Sequence, residues 1–374
     1  MKRVINCYGL CCLLLFLCGA CSKSPVTDGE VPLPEPEPVD TRSTREKYSA
    51  AITAWPEAEW YSGIIKKELA ELPANPNAKP NTEVLRLGKV LFFEKRMGSI
   101  QNSCSSCHNP AKFWTDGSRM AIGGGVRNTP TIENAWHLKG HLFHDGRAAT
   151  YAEQITEAIE SPIEMDGDLN IIPWILSQIP GYPPLFEAAY GSNSITRERI
   201  LDALEVYTLS ISSGETAFDR FVRGDYAALT DKEIEGLHLF RTKGKCINCH
   251  NGPFFTDLQY HNLGYAVDFR GDLDNGRYEV TGFEADKGKL RTPGLRNVSN
   301  TAPYWHNGEI ATLEEVIDLL NRGMPHTGRQ KINGTLSPHI RPLQLTSNEQ
   351  RAILAFLNTL SSEVLKVESP TLPQ

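Results

Sequence analysis

Cysteine is almost absent from the body of this chain. Of the nine cysteines in 374 residues, five lie within the first 21 residues, and the other four form two Cys-x-x-Cys-His strings. A chain with no spare cysteine has no thiols left for disulfide bonds, so disulfides do not stabilise this protein. The four cysteines of the body therefore serve another purpose.

An excess of positive charge and a long apolar run are both absent after the first twenty residues. The net charge is −7 and the isoelectric point is near 5.9, which argues against nucleic acid as a partner. No later apolar run has the length of a membrane span. Since 374 residues are enough for about two domains, each half of the chain can bury a core of its own.

The first twenty residues have the pattern of a secretory signal peptide. Two basic residues precede the apolar stretch VINCYGLCCLLLFLC, and LCGAC ends at Cys21. This end resembles the lipobox of bacterial lipoproteins, although Cys18 stands where leucine is usual. We therefore predict a lipoprotein signal peptide at 1–20 and a lipid anchor on Cys21. The protein would be exported, either facing the periplasm or on the outer surface of a bacterial membrane. An ordinary signal peptide that is cleaved after Ala20 is the alternative.

The rest of the chain divides into a linker and two helical domains. Residues 21–48 are rich in proline and acidic residues and predict an extended linker. Thr-x-x-Glu capping boxes at Thr230, Thr312 and Thr346 precede apolar runs and indicate helices. The two halves also repeat each other: LGKVLFFEKR…CSSCH corresponds to GLHLFRTKGKCINCH, and a TPxxxN string and a His-(Asp/Asn)-Gly turn recur. We predict tandem domains at 49–225 and 226–374.

Each Cys-x-x-Cys-His string is typical of a covalent haem attachment site. The two thiols add to the vinyl groups of one porphyrin, and the adjacent imidazole binds the iron. The first set is Cys104, Cys107 and His108, and the second is Cys246, Cys249 and His250. A zinc site is the alternative reading of two such pairs, but they lie far apart and a histidine follows each at once. We therefore predict a mainly α protein of two cytochrome c-like helical domains, each with one covalently bound haem c.

The second protein ligand of each iron decides whether the haem carries electrons or binds a small molecule. Met324 follows a predicted helix of the second domain and is the expected ligand of the second iron, with His326 and His339 as rivals. For the first iron the loop AIGGGVRN supplies no ligand. Met120 just before it and His137, His141 and His144 beyond it are the candidates, and none is singled out.

A linked set of motifs resembles the bacterial dihaem cytochrome c peroxidases and their relative, the methylamine-dehydrogenase maturation enzyme. The set covers 85–360 and includes LGKVLFF, SCSSCH, VRNTPTIENA, DGRAATYAEQ, SPIEM, LRNVSNTAPYWHNG and LEEVIDLLNRG. The resemblance implies that the first haem reacts with peroxide and that the second transfers electrons. It also implies that Gln154 and Glu164 line the pocket over the first iron, where a carboxylate moves a proton between the peroxide oxygens.

The resemblance implies further partners. A calcium ion would be held by the side chain of Asn128 and by the backbone carbonyl groups of Thr301 and Pro303, since oxygen donors suit a hard cation. The electron donor would be a small c-type cytochrome or a cupredoxin. Members of this family are often dimers, which leaves a homodimer open.

Two departures from the family pattern bear on function. The loop after the first haem string has no histidine to cap the iron, so we expect that iron to be open from the start unless Met120 caps it. His144 stands where the family usually has a tryptophan between the haems, and Leu320 stands at the place of the maturation enzyme's tyrosine ligand. Oxidation of a protein substrate over a long range is therefore less supported.

These observations favour a dihaem peroxidase that is tethered to a membrane and reduces hydrogen peroxide to water. Its electrons would come from an exported redox protein and pass from the C-terminal haem to the open N-terminal haem. One alternative is oxidation of a protein or a small molecule, as in the maturation enzyme. The other is a dihaem electron carrier without catalytic activity.

Overall fold

The structure is a computed structural model that describes residues 40–78, 81–122, 124–268, 270–324 and 333–374. The predicted signal peptide, the lipidation site Cys21, most of the predicted linker and the rival ligand His326 lie outside the described residues. Within these residues, no helix has the length and hydropathy needed to cross a membrane.

Helices dominate the part of the chain that the structure describes, which confirms the predicted fold class. The α-helices are α1 (Thr44–Tyr48), α2 (Thr82–Phe92), α3 (Cys104–Cys107), α4 (Tyr151–Glu160), α5 (Ile172–Ser177), α6 (Tyr182–Tyr190), α7 (Arg197–Ser210), α8 (Ala217–Val222), α9 (Asp231–Arg241), α10 (Tyr278–Thr281), α11 (Leu313–Asn321) and α12 (Ser347–Asn358). Two short strands, β1 (Tyr260–His261) and β2 (Leu290–Arg291), pair in antiparallel fashion.

The capping residues form as the sequence predicts, with one variation. Thr230 and Thr346 make complete capping boxes at the starts of α9 and α12. Thr312 caps α11 by accepting a hydrogen bond from the backbone N–H of Glu315, whose carboxylate accepts from the backbone N–H of Ala311. In each case side chains satisfy backbone N–H groups that have no partner inside the helix.

Two helix pairs cross in the same way in the two halves. In the first half, a Cβ atom on Gly88 of α2 would overlap the carbonyl group of Ala203 on α7. In the second half, a Cβ atom on Gly236 of α9 would overlap the carbonyl group of Ala352 on α12. Because glycine has no side chain, each pair can approach closely at this point. The repeat that the sequence predicts is therefore present in the packing.

Two hydrophobic cores surround these pairs. The first is built from α2, α4, α5, α6 and α7, with Leu87, Ile159 and Phe186 fully buried. The second is built from α8, α9, α11 and α12, with Phe240 and Phe356 at its centre.

Each end of the described chain packs against the half of the molecule that is farther from it in sequence. The 48–69 segment belongs to the second core, with Tyr48 fully buried at the end of α1. The predicted linker therefore ends earlier than residue 48. The C-terminal tail packs on the first half, where Gln374 accepts a hydrogen bond from Gly181 N–H. Residues 42–374 form one compact unit, and the division into domains at 225 and 226 stays a prediction.

Candidate functional site

The first haem string folds into a single helical turn. Cys104 and Cys107 form the ends of α3, and Ser103 caps its start. Burial raises the pKa of the Cys104 thiol to about 12 and that of the Cys107 thiol to about 11, so both thiols are neutral. One turn of helix places the two sulfur atoms on one side of the chain, as attachment to a single porphyrin requires.

His108 is held in the tautomer that an iron ligand needs. Its Nδ1–H donates to the backbone carbonyl of Trp114 at 3.0 Å, which leaves the lone pair of Nε2 free. Burial lowers the pKa of His108, so the ring stays neutral. These features suit a ligand on the near side of a haem iron.

The second haem string repeats this arrangement. Cys246–Asn248 form a turn of 3₁₀ helix, and the Nδ1–H of His250 donates to the carbonyl of Phe255 at 3.0 Å. Burial lowers the pKa of His250 as well. Both imidazoles therefore have Nε2 free, and the sequence prediction of two equivalent iron ligands agrees with this geometry.

A cavity of about 420 Å³ opens beside the second string, and Cys246, Cys249 and His250 line it. Its size lies in the range of cofactor pockets. Arg291 also lines the cavity. Within the described residues it forms no ion pair, and its guanidinium donates only to the backbone carbonyl groups of Phe143 and Thr292. A desolvated guanidinium without a carboxylate fits a haem propionate, so the residues present here fit the group.

The structure describes two of the three candidates for the far side of the second iron, Met324 and His339. His339 and Leu320 line the cavity. Met324 is 2% exposed and lies in a small cluster with Tyr265 and Val267, against which Leu320 packs. Met324 is thus close to the cavity wall without lining the cavity, and its role as a ligand stays a prediction.

Glu164 lies beside the first haem string. After burial, repulsion from its carboxylate adds to the raised pKa of the Cys104 and Cys107 thiols. Burial raises the pKa of Glu164 itself, partly offset by Arg147. The backbone is anchored because the side-chain amide of Asn102 donates to the Glu164 carbonyl at 3.0 Å.

Gln154 lies on α4, and its side chain is half-buried. The turn that follows this helix carries Glu164, and it is closed where Ser161 O accepts from Glu164 N–H at 3.0 Å. The structure thus puts both predicted pocket residues on one helix-turn unit. Their catalytic roles stay predictions.

The loop after the first string is organised by one carboxylate. Asp116 accepts hydrogen bonds from the backbone N–H groups of Ser118 and Ile122 and from the hydroxyl of Thr129. The Cys107 thiol contacts the carbonyl of Ile122 at 3.6 Å. Met120, the candidate for capping the first iron by thioether ligation, is 39% exposed.

Ion pairs join both ends of the same loop to the second half. Near its start, Arg119 forms an ion pair with Glu309 at 3.6 Å. Near its end, Arg127 forms ion pairs with Asp274 at 2.7 Å and with Asp145 at 2.6 Å. These contacts fix the position of the loop relative to both halves.

The three predicted calcium ligands converge on the cavity. Asn128, Thr301 and Pro303 all line it. The amide nitrogen of Asn128 donates to the carbonyl of Ser118 at 2.9 Å, and its Oδ1 has no hydrogen-bond partner within the described chain. An amide oxygen with this freedom fits a hard cation, and the calcium ion stays a prediction.

His144 also lines the cavity, at the contact between the two halves. Its Nε2–H donates to the carbonyl of Asn128 at 3.0 Å, and its own carbonyl accepts from Arg291 N–H at 2.8 Å. Burial lowers its pKa to about 4, so the ring is neutral.

Two residues of the cavity were not predicted from the sequence. Arg291 is the residue before the second Thr-Pro string, and its position in that repeat was a usable signal. Glu133 is a single acidic residue in TPTIENA, and it is 8% exposed in the cavity wall. Nothing in its local pattern distinguishes it from a surface carboxylate.

Comparison with known proteins supports the same interpretation. The family model described as di-haem cytochrome c peroxidase matches residues 82–227. A cytochrome-c peroxidase, IdrP2, of Denitromonas iodatirespirans is 34% identical over 337 residues, which cover 81% of this chain and 89% of the relative. The methylamine utilization protein MauG of Methylorubrum extorquens is 35% identical over 310 residues, which cover 80% and 84%.

A solved structure gives the same result for the fold. The crystal structure of a MauG-like protein associated with microbial copper homeostasis matches with a TM-score of 0.69 and 29% identity, over 82% of this chain and 96% of that one. The resemblance inferred from the motifs is confirmed, and a di-haem family agrees with the two haem strings of this chain. The chain belongs to the di-haem cytochrome c peroxidase family, whose members are haem-dependent oxidoreductases.

Proposed function

We propose that this protein reduces hydrogen peroxide to water at its N-terminal haem, with electrons that an exported redox protein delivers to its C-terminal haem. The observation that carries this proposal is the position of Glu164. The side chain of Asn102, two residues before Cys104, holds the Glu164 backbone beside the first haem string, and burial raises the pKa of its carboxyl group. A buried carboxyl group with a raised pKa suits proton transfer, which favours a peroxidase over a pure electron carrier.

Reduction of one peroxide molecule consumes two electrons and two protons and yields two water molecules. The bound haems supply the redox-active iron. Glu164 would accept a proton from the oxygen of peroxide nearer the iron and donate it to the oxygen that leaves as water, a kind of proton transfer typically worth ~10²–10⁴ in rate. Gln154, on the helix before it, would orient the peroxide through its amide.

The loop between 118 and 128 supports a first iron that is open in the oxidised protein. It contains no histidine, its one methionine is exposed, and Arg119 and Arg127 tie it to the second half. A loop held at both ends is poorly suited to swing over the iron and away again. We therefore propose that reduction of the second haem is not required to open the site.

The cavity between the halves supports a path for electrons between the two haem sites. It is lined by His250 and also by Thr115 and Pro130, which adjoin the first haem site. Electrons would enter from a small c-type cytochrome or a cupredoxin at the second haem and cross this region. A calcium ion at Asn128 would help to hold the two halves in register.

The proposed location follows from the N-terminal sequence. Cys21 would carry the lipid, and the proline-rich segment would hold the enzyme away from a bacterial membrane on its exported side. Haem c is attached to proteins outside the cytoplasm, so the two haem strings agree with the predicted export signal.

The test is peroxide consumption by the purified dihaem protein, followed at the haem absorption bands. The fully oxidised and the half-reduced forms should both react rapidly, because the first iron is open in each. Reaction of the half-reduced form alone would mean that a residue such as Met120 caps the iron until the second haem is reduced. No reaction in either form would refute the peroxidase and leave an electron carrier.

A second candidate, oxidation of another molecule as in MauG, is favoured by one observation: that relative is as similar to this chain as the peroxidases are. The two candidates differ in what peroxide does in the absence of an electron donor. A peroxidase should consume about one peroxide for each pair of stored electrons and then stop. A MauG-like enzyme should continue when its substrate is added.

A further inference from the structure

A buried carboxyl group in the cavity is not used by the proposed reaction. Glu133 lines the same cavity as Cys246, Cys249 and His250, and it is 8% exposed. Its side chain accepts a hydrogen bond from Nδ2 of Asn297 at 2.6 Å, and Asn297 is itself fully buried. Within the described residues Glu133 forms no ion pair, so no cation holds it in its ionised form.

The balance of these contacts leaves Glu133 close to titration at neutral pH. Burial raises its pKa to about 7, and the hydrogen bond from Asn297 opposes that rise only in part. No charged side chain adds to either effect. A carboxyl group in this state responds to any new charge in the cavity, because neither of its two forms is strongly preferred.

His137, at the end of the short 3₁₀ turn Ala135–His137, provides an acceptor in the same cavity. Its Nδ1–H donates to the carbonyl of Asn134 at 2.5 Å, and its ring stacks on Phe254 at 3.9 Å. Its Nε2 is buried and has no hydrogen-bond partner within the described chain. This lone pair can accept a hydrogen bond from a water molecule in the cavity, which would carry protons there.

The other titratable groups in the cavity wall leave one rival. Burial lowers the pKa of His137, His144 and His306 to about 4, so these rings stay neutral near pH 7. Burial lowers the pKa of His339 as well. Three arginines and one lysine in the wall carry fixed positive charge: Arg291, Arg296, Arg341 and Lys245.

The rival is His261, which donates from Nε2 to Asp257 at 2.9 Å beside the second haem string. Protonation of this ring would also place a positive charge near the second iron. An experiment on Glu133 must therefore separate the two groups.

We propose that Glu133 takes up a proton when the C-terminal haem is reduced, so that an electron and a proton are stored together. One electron from the small redox protein converts the iron from Fe(III) to Fe(II), and one proton from solvent converts the Glu133 carboxylate to the acid. When the electron passes to the N-terminal haem, the carboxyl group releases this proton. The inference rests on the second haem as the electron-storing group of the proposed function.

The test is a potentiometric titration of the C-terminal haem at a series of pH values, which needs no peroxide. In the wild-type protein the midpoint potential should fall as pH rises through the neutral range, because reduction binds a proton there. In Glu133→Gln this fall should be absent, and the potential at alkaline pH should be higher than in the wild type. An unchanged pH dependence in Glu133→Gln would overturn the proposal and point to a haem propionate.

Two control variants sharpen the result. Glu205→Gln removes another carboxyl group whose pKa is raised by burial but which does not line the cavity, and it should leave the pH dependence intact. His261→Gln should also leave it intact. If the dependence is lost in His261→Gln and kept in Glu133→Gln, the proton belongs to His261.

Asn297→Ala provides a second route if Glu133→Gln does not fold. It removes the hydrogen bond that favours the carboxylate, so the fall in potential should move to higher pH. Infrared difference spectra on reduction should show a protonated carboxyl band that Glu133→Gln lacks. The proposal would be refuted if the midpoint potential of Asn297→Ala fell over the same pH range as that of the wild type and the wild type showed no such band. Since neither measurement involves peroxide, failure here is distinct from failure of the proposed peroxidase.

Discussion

At the scale of single residues, the partner of a buried carboxyl group decides what it can do. Glu94 is 1% exposed, and burial raises its pKa, but hydrogen bonds from Arg96 and Tyr182 outweigh burial and the pKa is lowered. Glu94 is therefore a fixed anion that anchors structure. Glu164 has no such hydrogen bonds within the described chain, and its pKa is raised. A carboxyl group in that condition can gain and lose a proton during turnover.

Glu164→Gln should slow the reaction with peroxide by ~10²–10⁴, because the amide cannot accept the proton. In the wild type the rate should fall as pH drops through the pKa of Glu164, at a higher pH than for an ordinary glutamate, since burial raises that pKa. Stopped-flow measurements at the haem bands would show both effects. Glu160→Gln, at the exposed end of α4, is the control. A rate within twofold of wild type for both variants would exclude Glu164 as the base.

The residues that the sequence predicts well are those whose chemistry is local. The two haem strings could be recognised because five consecutive residues carry the whole pattern. Glu133 and Arg291 could not, because their importance comes from burial beside groups that are distant in sequence. Met324 shows the same limit: its residue type suits the iron, but its place beside the cavity wall depends on packing, and its role as a ligand stays a prediction.

At the scale of elements, the two halves use one device to bring helices together. Gly88 on α2 and Gly236 on α9 each face a backbone carbonyl of the partner helix. Glycine in a helix lowers stability by about 1 kcal/mol relative to alanine. At both equivalent points, the close packing that glycine permits offsets this loss. The repeat in the sequence predicted two similar domains, whereas the contact that requires glycine could be seen only in three dimensions.

Gly236→Ala should destabilise the protein although alanine is the better helix former. The new methyl group would overlap the carbonyl of Ala352, which is backbone and cannot rotate away, and overpacking of this kind costs about 1–3 kcal/mol. Thermal unfolding followed by circular dichroism should give a lower Tm. Glu235→Ala, at a neighbouring exposed position of α9, should change Tm little. An unchanged or higher Tm for Gly236→Ala would mean that α9 and α12 can separate without cost.

At the scale of the whole molecule, Arg127 connects the first haem loop to the second half. Its guanidinium donates twice to Asp274 and once to Asp145, and all three side chains are largely buried. The pKa of Asp274 is lowered to about 2; burial opposes this shift, and the hydrogen bonds and charge of Arg127 outweigh it. The two carboxylates of this cluster are therefore stabilised in their ionised form by a contact that exists only in the folded protein, where the two halves meet.

Arg127→Met should cost about 3–5 kcal/mol at neutral pH, because two buried carboxylates lose their cation. In the wild type, Asp274 contributes stability above its unfolded pKa of about 3.9, and this contribution is lost as pH falls towards 2. In the variant that loss should be absent, since the carboxyl group no longer prefers its ionised form in the folded state. Urea unfolding at pH values between neutral and about 3 would measure both effects.

Arg322→Met is the matched control, since it breaks an exposed ion pair with Asp318 on α11, and such pairs contribute roughly 0.3–0.5 kcal/mol. The same variant series reports on the first haem loop. If Arg127 holds that loop away from the iron, Arg127→Met should lose part of its rapid reaction with peroxide in the fully oxidised state, while Arg322→Met keeps it. Equal stability and equal oxidised-state reactivity in both variants would show that the ion cluster neither joins the halves nor fixes the loop.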